Sequence, residues 1–390
     1  LQSAELTDLP TGTLLGQAFS SKRFPRRVAK FSDDDLAYAV DWRGYYAAKT
    51  LNRLLAADVN VRVAGEPFDF VTGAEQARHF DHGTLLVPLG IQPDKRAAIV
   101  KILRDAGRDG VAVYATATGL TPSGIDLGSS SFKRVTKPKV LLVTGGSTYE
   151  VGEVWHLLDQ RFSMPVTLVA DRQMSRVNLT EYTVIVLVSG SYDAMSSSGI
   201  AKLSSFVEAG GTIVATGTSI EWLNKNKIIE TAFRHEAAGS DADDRSAPAP
   251  RRPYAEASVD AALRLVRGSI FQTRVDHTHP VGYGYAPQAA LPVFRNNRVF
   301  LEPSKNVYAT PVVYEADPLL AGYVSEENLA KIAGSASVVV VRRGQGRAIL
   351  IAENPNLRAF WYGTNRLFLN SLFFGPLVRN PTDAEDGHQH

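Results

Sequence analysis

Two histidines and an aspartate lie together at residues 276–280, which read Asp-His-Thr-His-Pro. Imidazoles and carboxylates are common zinc ligands. His277 and His279 would face the same side of an extended segment, but the spacing supplies neither a third ligand nor the glutamate of a His-Glu-x-x-His helix. We therefore expect no metal site, with His277 and His279 as the nearest candidates. Both histidines are predicted to form hydrogen bonds in the core or at a domain face.

A second group of such residues, His79, Asp81 and His82, precedes a strand-like run that begins at Thr84. These side chains could in principle bind a metal. Asp-His-Gly is, however, ordinary turn composition. The favoured interpretation is a turn that leads into the strand.

Hydroxyl side chains follow two glycines at Ser147 and Thr148, where a strand gives way to a helix. The backbone N–H groups of such a turn bind anions in doubly wound folds. The run lacks the third spaced glycine of a dinucleotide site, and the next strand lacks its acidic residue. A tight structural turn is therefore favoured over a phosphate site.

Residues 210–219 have the outline of a nucleophile elbow, a sharp turn from strand to helix that presents a reactive side chain. The candidates at this turn are Thr218 and Ser219. A nucleophile of this kind needs a general base within reach, and no histidine follows at a matching position. We expect these hydroxyls to cap a helix instead, which leaves the sequence without a catalytic site.

Arg358 and Trp361 come after the penultimate strand-like run, together with Glu353 and Tyr362. Arginine and aromatic residues are enriched where proteins contact partners. Packing inside the fold and an interface or ligand groove are equally open for this segment.

The composition narrows the class of protein. Lysine and arginine number 42 against 40 aspartates and glutamates, a formal charge of +2 that is too balanced for a nucleic-acid-binding protein. No apolar run reaches the roughly 20 residues that cross a bilayer, and the first residues lack the features of a signal peptide. The absence of cysteine excludes disulfides and thiolate chemistry. Because residue 1 is leucine, we interpret the chain as part of a longer protein.

The elements that would position these side chains alternate between strand and helix. In the first part, a capped helix is predicted to begin at Ser32, and a helix at 97–106 lies between strands at 84–87 and 111–115. After an irregular connector at 118–137 the alternation starts again. Strands are then predicted at 139–144, 166–169, 184–188 and 212–216, helices at 153–159, 200–209 and 365–372, and a hairpin at 337–351.

This alternation predicts an α/β protein of two consecutive doubly wound, flavodoxin- or Rossmann-like domains with parallel βαβ units. The first domain would comprise residues 1–137 and the second 138–379. Polar composition predicts a disordered insertion near 236–253 and a disordered tail at 380–390.

Four phrases of the sequence resemble one family. They are Gly-Ile-Asp-Leu-Gly-Ser at 124–129, Gly-Glu-Val-Trp-His-Leu-Leu-Asp at 152–159, the run at 276–280, and Asn-Leu-Arg-Ala-Phe at 356–360. Together they resemble the C-terminal region of large bacterial zinc carboxypeptidases of the carboxypeptidase A-like family. The resemblance covers nearly the whole chain, and the phrase around Trp155 is its most specific part.

The resemblance implies that the catalytic zinc lies in a domain ahead of this chain. That domain would carry a His-x-x-Glu motif, and here no glutamate stands three residues after His79, His82, His156 or His235. The implied cofactor, zinc, and the implied partner, the upstream carboxypeptidase domain, thus lie outside residues 1–390. This chain would bring no cofactor of its own.

Residues 138–379 also resemble class I glutamine amidotransferases in fold. That family uses a cysteine nucleophile at the elbow and a His/Glu pair near the last strands. Here Gly217 and Thr218 stand at the elbow, cysteine is absent, and Glu353 has no neighbouring histidine. The resemblance implies the fold without the activity.

We therefore expect a non-catalytic accessory region that packs against, orients or oligomerises a zinc carboxypeptidase and helps to select its peptides, with the aromatic residues around Trp361 as the contact. Peptide substrate and further copies of the chain are expected partners, whereas nucleic acid and membranes are not. A stand-alone module that binds a small anionic ligand or a carbohydrate, and a divergent hydrolase that uses Thr218 or Ser219, stay open as alternatives. The resemblance implies a periplasmic or secreted protein.

Overall fold

A computed structural model describes residues 30–72, 76–234, 251–287 and 289–379 of the chain. Their strands form two main sheets and a small third one, and helices cover the sheets, so the α/β class is confirmed. The predicted tail at 380–390 and most of the predicted insertion at 236–253 lie outside the described residues. Within the described ranges, no helix is both long and apolar enough to cross a membrane.

Residues 30–134 build the first sheet and its small companion. Their elements are β1 (Ala37–Val40), α1 (Ala47–Ala56), β2 (Arg62–Ala64), β3 (Phe68–Thr72), β4 (Gln76–Phe80), β5 (Leu85–Pro88), α2 (Arg96–Arg108), β6 (Val113–Thr116), β7 (Ser123–Gly124) and β8 (Phe132–Arg134). Five strands form a sheet in the order β6-β1-β5-β2-β8, and β4-β3-β7 form the small sheet.

Every pairing in the five-stranded sheet is antiparallel. Helix α1 connects β1 to β2, and α2 connects β5 to β6, so each helix joins two strands of the same direction that a third strand separates. This β-α-β-β-α-β arrangement is the split βαβ, or ferredoxin-like, topology. The alternation of strand and helix is as predicted. The adjacent parallel strands expected of a doubly wound first domain are absent from the described part of this half.

The capped helix predicted at Ser32 is wrong. The Ser32 backbone N–H donates to Asp35 Oδ2 (2.8 Å) in a turn, and the chain then enters β1, all of whose residues are buried. A short apolar run has no period that separates a strand from a buried helix. The helix begins only at Ala47, after the strand.

Different elements cover the two faces of the first sheet. Helices α1 and α2 supply Leu51 and Leu103 to the core on one face. On the other face, the small sheet supplies Phe68, Phe70 and Phe80, whose ring centroids lie 4.7 to 5.8 Å apart. The sequence analysis did not predict strands β3 and β4. The three phenylalanines at alternate or matching positions of these strands form the buried face of the small sheet.

Residues 139–379 build a nine-stranded sheet. Their elements are β9 (Val140–Val143), α3 (Thr148–Trp155), β10 (Val166–Val169), β11 (Val184–Leu187), α4 (Ser197–Glu208), β12 (Thr212–Thr216), α5 (Ser219–Lys225), α6 (Ala257–Leu263), β13 (Ser269–Val275), β14 (Ala290–Arg295), β15 (Val312–Ala321), α7 (Glu326–Ile332), β16 (Ala336–Arg343), β17 (Gly346–Ile351) and α8 (Tyr362–Phe373). The sheet order is β10-β9-β11-β12-β17-β16-β15-β13-β14.

The first five strands of this order are parallel. Numbered along the chain, they have the order 2-1-3-4-5 of flavodoxin-like sheets. All residues of β9 and β11 are buried, which explains why both appear in the sequence as continuous apolar runs. The doubly wound core of the second half and the antiparallel β16–β17 hairpin are therefore confirmed. Strands β15, β13 and β14 extend the sheet in antiparallel fashion.

The two halves share one apolar core and one buried amide. Asn370 of α8 accepts a hydrogen bond from Trp42 Nε1 (2.8 Å) and donates to the carbonyl oxygens of Val281 and Tyr283 (2.8 Å each). The Trp42 ring also packs edge-on against Phe374, with centroids 4.8 Å apart. One side chain thus joins the first half, the last helix and the turn that follows β13.

Asn370→Ala should lower the free energy of unfolding by about 3 kcal/mol or more, because it leaves one buried indole N–H and two buried carbonyls without partners. Urea unfolding measures this loss. The matched control is Asn178→Ala, at an exposed helix cap, which should cost about 1 kcal/mol or less. Equal losses in the two variants would contradict a special role for Asn370.

Candidate functional site

The topology places the expected ligand crevice between β9 and β11, where the strand order of the parallel sheet reverses. In this protein the two turns that leave these strands press against each other. The Ser147 backbone N–H donates to the carbonyl oxygen of Ser189 (2.7 Å). A Cβ on Gly190 would lie 2.4 Å from Gly146 Cα. The backbone of the two turns is therefore in close contact at this point.

Ser147 acts as the N-cap of α3, where its Oγ accepts a hydrogen bond from the Glu150 backbone N–H (3.4 Å), and Thr148 is the exposed first residue of the helix. Glu150 Oε2 in turn accepts from the Ser189 N–H (3.1 Å). Burial raises the pKa of the Glu150 carboxyl. The Asp171 carboxyl also faces this turn, 2.5 Å from where a Cβ on Gly145 would lie. Two carboxyl groups and an occupied N–H argue against an anion at Ser147 and Thr148.

At the elbow, Ser219 is fully buried at the start of α5. Its Oγ lies 2.8 Å from the Thr216 carbonyl oxygen and 3.1 Å from that of Leu187. Thr218 occupies the cap position but makes no capping hydrogen bond through its side chain, so the expected capping by these hydroxyls is wrong. Gly217 has φ of 56°, and a Cβ there would lie 2.1 Å from Ser189 Oγ. The turn is sharp, yet the Ser219 hydroxyl points into the protein.

Glu353 is buried just after β17. One of its carboxylate oxygens accepts from Ser337 Oγ, and the other accepts from Tyr314 OH (3.0 Å). The Arg295 guanidinium, also fully buried, stacks 5.3 Å from the Tyr314 ring. Burial raises the pKa of Glu353 despite these donors. The group belongs to an internal polar cluster that holds β14, β15, β16 and β17 together.

The loop that carries Arg358 and Trp361 is held by helix α3. Glu153 of α3 accepts hydrogen bonds from Asn354 Nδ2 and from the Arg358 backbone N–H, both at 2.6 Å. Arg358 and Ala359 have φ of 47° and 55°, which non-glycine residues adopt only where the surroundings hold them. The Trp361 ring is half-buried, and its Nε1 lies 3.3 Å from the Pro292 carbonyl oxygen.

Four aromatic side chains on α3, this loop and the start of α8 are exposed. Their exposed fractions are 85% for Tyr149, 39% for Trp155, 43% for Phe360 and 52% for Tyr362. We call these four residues the aromatic surface. Arg358 is exposed beside it, whereas Trp361 supports the loop from below.

His277 and His279 lie in different environments. The backbone turns at 277–278, so His277 and His279 do not share a face as expected. His279 is buried, its Nδ1 accepts from the Val281 N–H (3.1 Å), and burial lowers its pKa to about 4. His277 instead lies near Asp81 and His82 of the first half, with one potential ligand atom from each of the three within 4.8 Å of the others. Sequence reasoning missed this cluster, because no spacing rule connects its two parts.

Asp81 and His82 also interact with each other. His82 Nδ1 lies 2.9 Å from Asp81 Oδ1, which also accepts the His82 backbone N–H at 2.7 Å. Burial on its own would raise the pKa of Asp81, but the hydrogen bonds from His82 outweigh burial and lower it. The predicted turn at Asp-His-Gly is present.

A surface groove of about 820 Å³ lies at the other end of the parallel strands, beside the amino ends of β11 and β12. Leu179, Tyr182 and Phe206 supply its apolar wall, and Arg176 and Lys202 its charges. Its volume falls in the range of small-molecule sites, roughly 300 to 1,000 Å³.

No family model and no curated protein matches the chain. Similar solved structures include PurLQS from Thermotoga maritima, at 12% identity over 60% of this chain and 96% of that one, with a TM-score of 0.37. A ThuA-like protein from Bacteroides uniformis is 11% identical over 63% of this chain and 92% of that one, with a TM-score of 0.34. The exo-β-1,4-mannosidase Op5Man5 from Opitutaceae bacterium strain TAV5 is 14% identical over 75% of this chain and 40% of that one, with a TM-score of 0.32. Similarities this low say nothing about activity, and the description of the fold rests on the strand order.

Glu353→Gln should change how stability depends on pH. Because burial raises the pKa of Glu353, its favourable contribution is complete below the unfolded pKa of about 4.3 and is lost as pH rises through the folded pKa. The variant lacks this titration, so its free energy of unfolding should rise relative to the wild type as the pH is raised from about 4 towards neutral. Urea unfolding across this range measures the difference, with the exposed Glu326→Gln as control. A pH-independent difference would contradict the prediction.

Glu153→Ala should loosen the loop at 354–361, because two donors lose their acceptor. We expect a loss of about 1 to 3 kcal/mol in the free energy of unfolding and faster amide exchange in this loop. Glu327→Ala, which breaks a surface pair with Lys331, should cost under about 1 kcal/mol. Unchanged exchange at 354–361 would show that α3 does not hold the loop.

Proposed function

We propose that this chain is a non-catalytic α/β region that binds a partner protein. The observation that carries the proposal is the elbow: Ser219, the serine at the nucleophile turn, is fully buried with its hydroxyl between two carbonyl oxygens. A nucleophile must face its substrate and a base. The described hydrogen bonds of Ser219 go only to the backbone.

As the partner we propose the catalytic domain of a zinc-dependent carboxypeptidase, for which this chain would be the accessory C-terminal region. The support is the resemblance of four sequence phrases, and two of these phrases meet in space, since Glu153 of one accepts the backbone N–H of Arg358 from another. The aromatic surface lies beside this contact. Exposed aromatic residues are a usual feature of binding surfaces.

In this proposal zinc belongs to the partner domain, which would release C-terminal residues from peptides. The accessory region would position that domain, help to select peptide substrates or mediate self-association. Export to the periplasm or the medium is part of the same proposal.

A serine-reactive fluorophosphonate probe should label neither Thr218 nor Ser219, because the Ser219 hydroxyl is enclosed and Thr218 has no described histidine partner. The purified chain should also release neither ammonia from glutamine nor C-terminal residues from peptides. Intact-mass spectrometry after probe treatment gives the readout. Labelling that disappears in Ser219→Ala or Thr218→Val would refute the non-catalytic assignment and support a hydrolase.

The partner can be tested with the polypeptide encoded ahead of Leu1 in the parent reading frame. We expect it to contain a His-x-x-Glu motif and to bind this chain in a pull-down. Substituting Phe360→Ser and Tyr362→Ser together should weaken binding at least about 10-fold, as for residues at the centre of an interface. Tyr254→Ser, which alters a 94% exposed tyrosine elsewhere, should leave it unchanged. An upstream segment without the motif, or binding that ignores the aromatic surface, would refute the proposal.

The groove at the amino ends of β11 and β12 favours a second candidate function, the binding of a small molecule. Its apolar wall and two basic residues suit a carbohydrate or a small anionic ligand better than the crevice at Ser147 and Thr148 does. A thermal-shift screen with sugars and small carboxylic acids tests this function. A stabilising compound whose effect is lost in Tyr182→Ala, but kept in Ser147→Ala, would assign it to the groove.

A further inference from the structure

Asp81, His82 and His277 bring two imidazoles and a carboxylate to one point from opposite halves of the chain. Asp81 and His82 lie in the turn between β4 and β5, and His277 follows β13. One potential ligand atom from each residue lies within 4.8 Å of the other two. The His82 and His277 rings stand nearly perpendicular, at 87°, with centroids 5.9 Å apart.

The donor set matches a metal of the zinc type. Two imidazole nitrogens and a carboxylate oxygen are a common three-ligand set for Zn²⁺, with water in the remaining position. In a tetrahedral site with bonds of about 2.0 to 2.2 Å, ligand atoms lie about 3.3 Å apart. Small side-chain rotations would bring three atoms now within 4.8 Å to that spacing.

The backbone around the cluster is tightly fixed. Gly83 has φ of 84°, and a Cβ there would lie 2.6 Å from Tyr283 Cβ. Thr84 Oγ1 donates to the Asp81 carbonyl oxygen (2.8 Å). The turn that carries Asp81 and His82 therefore packs directly on the chain that continues from His277.

The space beside Asp81 and His82 is small, and His277 does not line it. Asp81 and His82 line a small cleft of about 10 Å³, roughly the room needed by one water molecule. Arg43 lines the same cleft, but Asp41 pairs with it, at 2.8 Å from Nη2 to Oδ2. The His82 and Asp81 side chains are only 15% and 32% exposed, so a bound ion would be partly shielded from water.

We propose that Asp81, His82 and His277 bind one divalent transition-metal ion, with Zn²⁺ as the best match, and that this ion ties the first half of the protein to the second. The site is separate from the zinc of the proposed partner domain. It gives the accessory region a metal of its own.

The test uses the full chain with the two tail histidines removed, as His388→Ala/His390→Ala, so that the tail cannot supply ligands. After chelation and dialysis, Zn²⁺ is added, and binding is measured by calorimetry and by the melting temperature. We expect one zinc per chain and a rise in melting temperature of about 2 °C or more at saturating zinc. Co²⁺ in place of Zn²⁺ should give visible absorption bands from nitrogen and oxygen ligands.

His277→Ala and Asp81→Asn, each in that background, should weaken zinc binding at least about 10-fold and remove the rise in melting temperature. His79→Ala is the matched control, because His79 forms a similar pair with Asp69 (2.7 Å) but has no third ligand among the described residues. Its zinc binding should equal that of the parent. Unfolding curves in chelator confirm that each variant folds.

Three results would overturn the proposal. They are no zinc bound to the parent, equal zinc affinity in the parent and both cluster variants, and an equal loss in His79→Ala. None of them bears on the partner-binding function, which the probe and pull-down experiments test separately.

Discussion

The buried amide of Asn370 is the contact on which the junction of the two halves depends. An amide side chain offers one acceptor and two donors, and here all three are used, by Trp42, Val281 and Tyr283. Apolar packing alone would tolerate several placements of the last helix, whereas an unsatisfied buried polar group costs about 1 to 3 kcal/mol. The position of the first half over the loop after β13 follows from these bonds. The approach of His277 to Asp81 is one result of that placement.

The turns at the carboxyl ends of the parallel strands pack closely against one another. At the switch point, backbone from Gly146 and Gly190 and the Glu150 carboxylate lie close together. At the elbow, the Ser219 hydroxyl is bound to carbonyl oxygens. The aromatic surface lies on α3, on the loop that α3 holds and at the start of α8. A partner that binds there, as proposed, would contact the protein outside the crevice.

The second half could be predicted from the sequence because strands such as β9 and β11 are buried on both faces and appear as continuous apolar runs. In the first half the same reasoning found α2, β5 and β6, but it missed β1, β3 and β4, as well as β7 and β8 in the predicted connector, and it did not identify which strands pair. Strand β5 inserts between β1 and β2, and that pairing depends on contacts distant in sequence. Residues of the cluster around His277 come from both halves, so no motif joins them. The sequence indicates Ser219 as a candidate nucleophile, but its burial depends on how distant parts of the chain pack around it.

The split βαβ topology and the position of α8 together determine how the chain can assemble during synthesis. Strand β1 pairs with β5 and β6, which emerge from the ribosome later. Trp42 finds its hydrogen-bond acceptor only on the final helix. Until α8 arrives, Trp42 lacks both its acceptor and the aromatic rings that cover it, and exposed apolar surface of this kind favours aggregation. A chain that ends before α8 would therefore lack the hydrogen bond between Trp42 and Asn370 that joins the two halves.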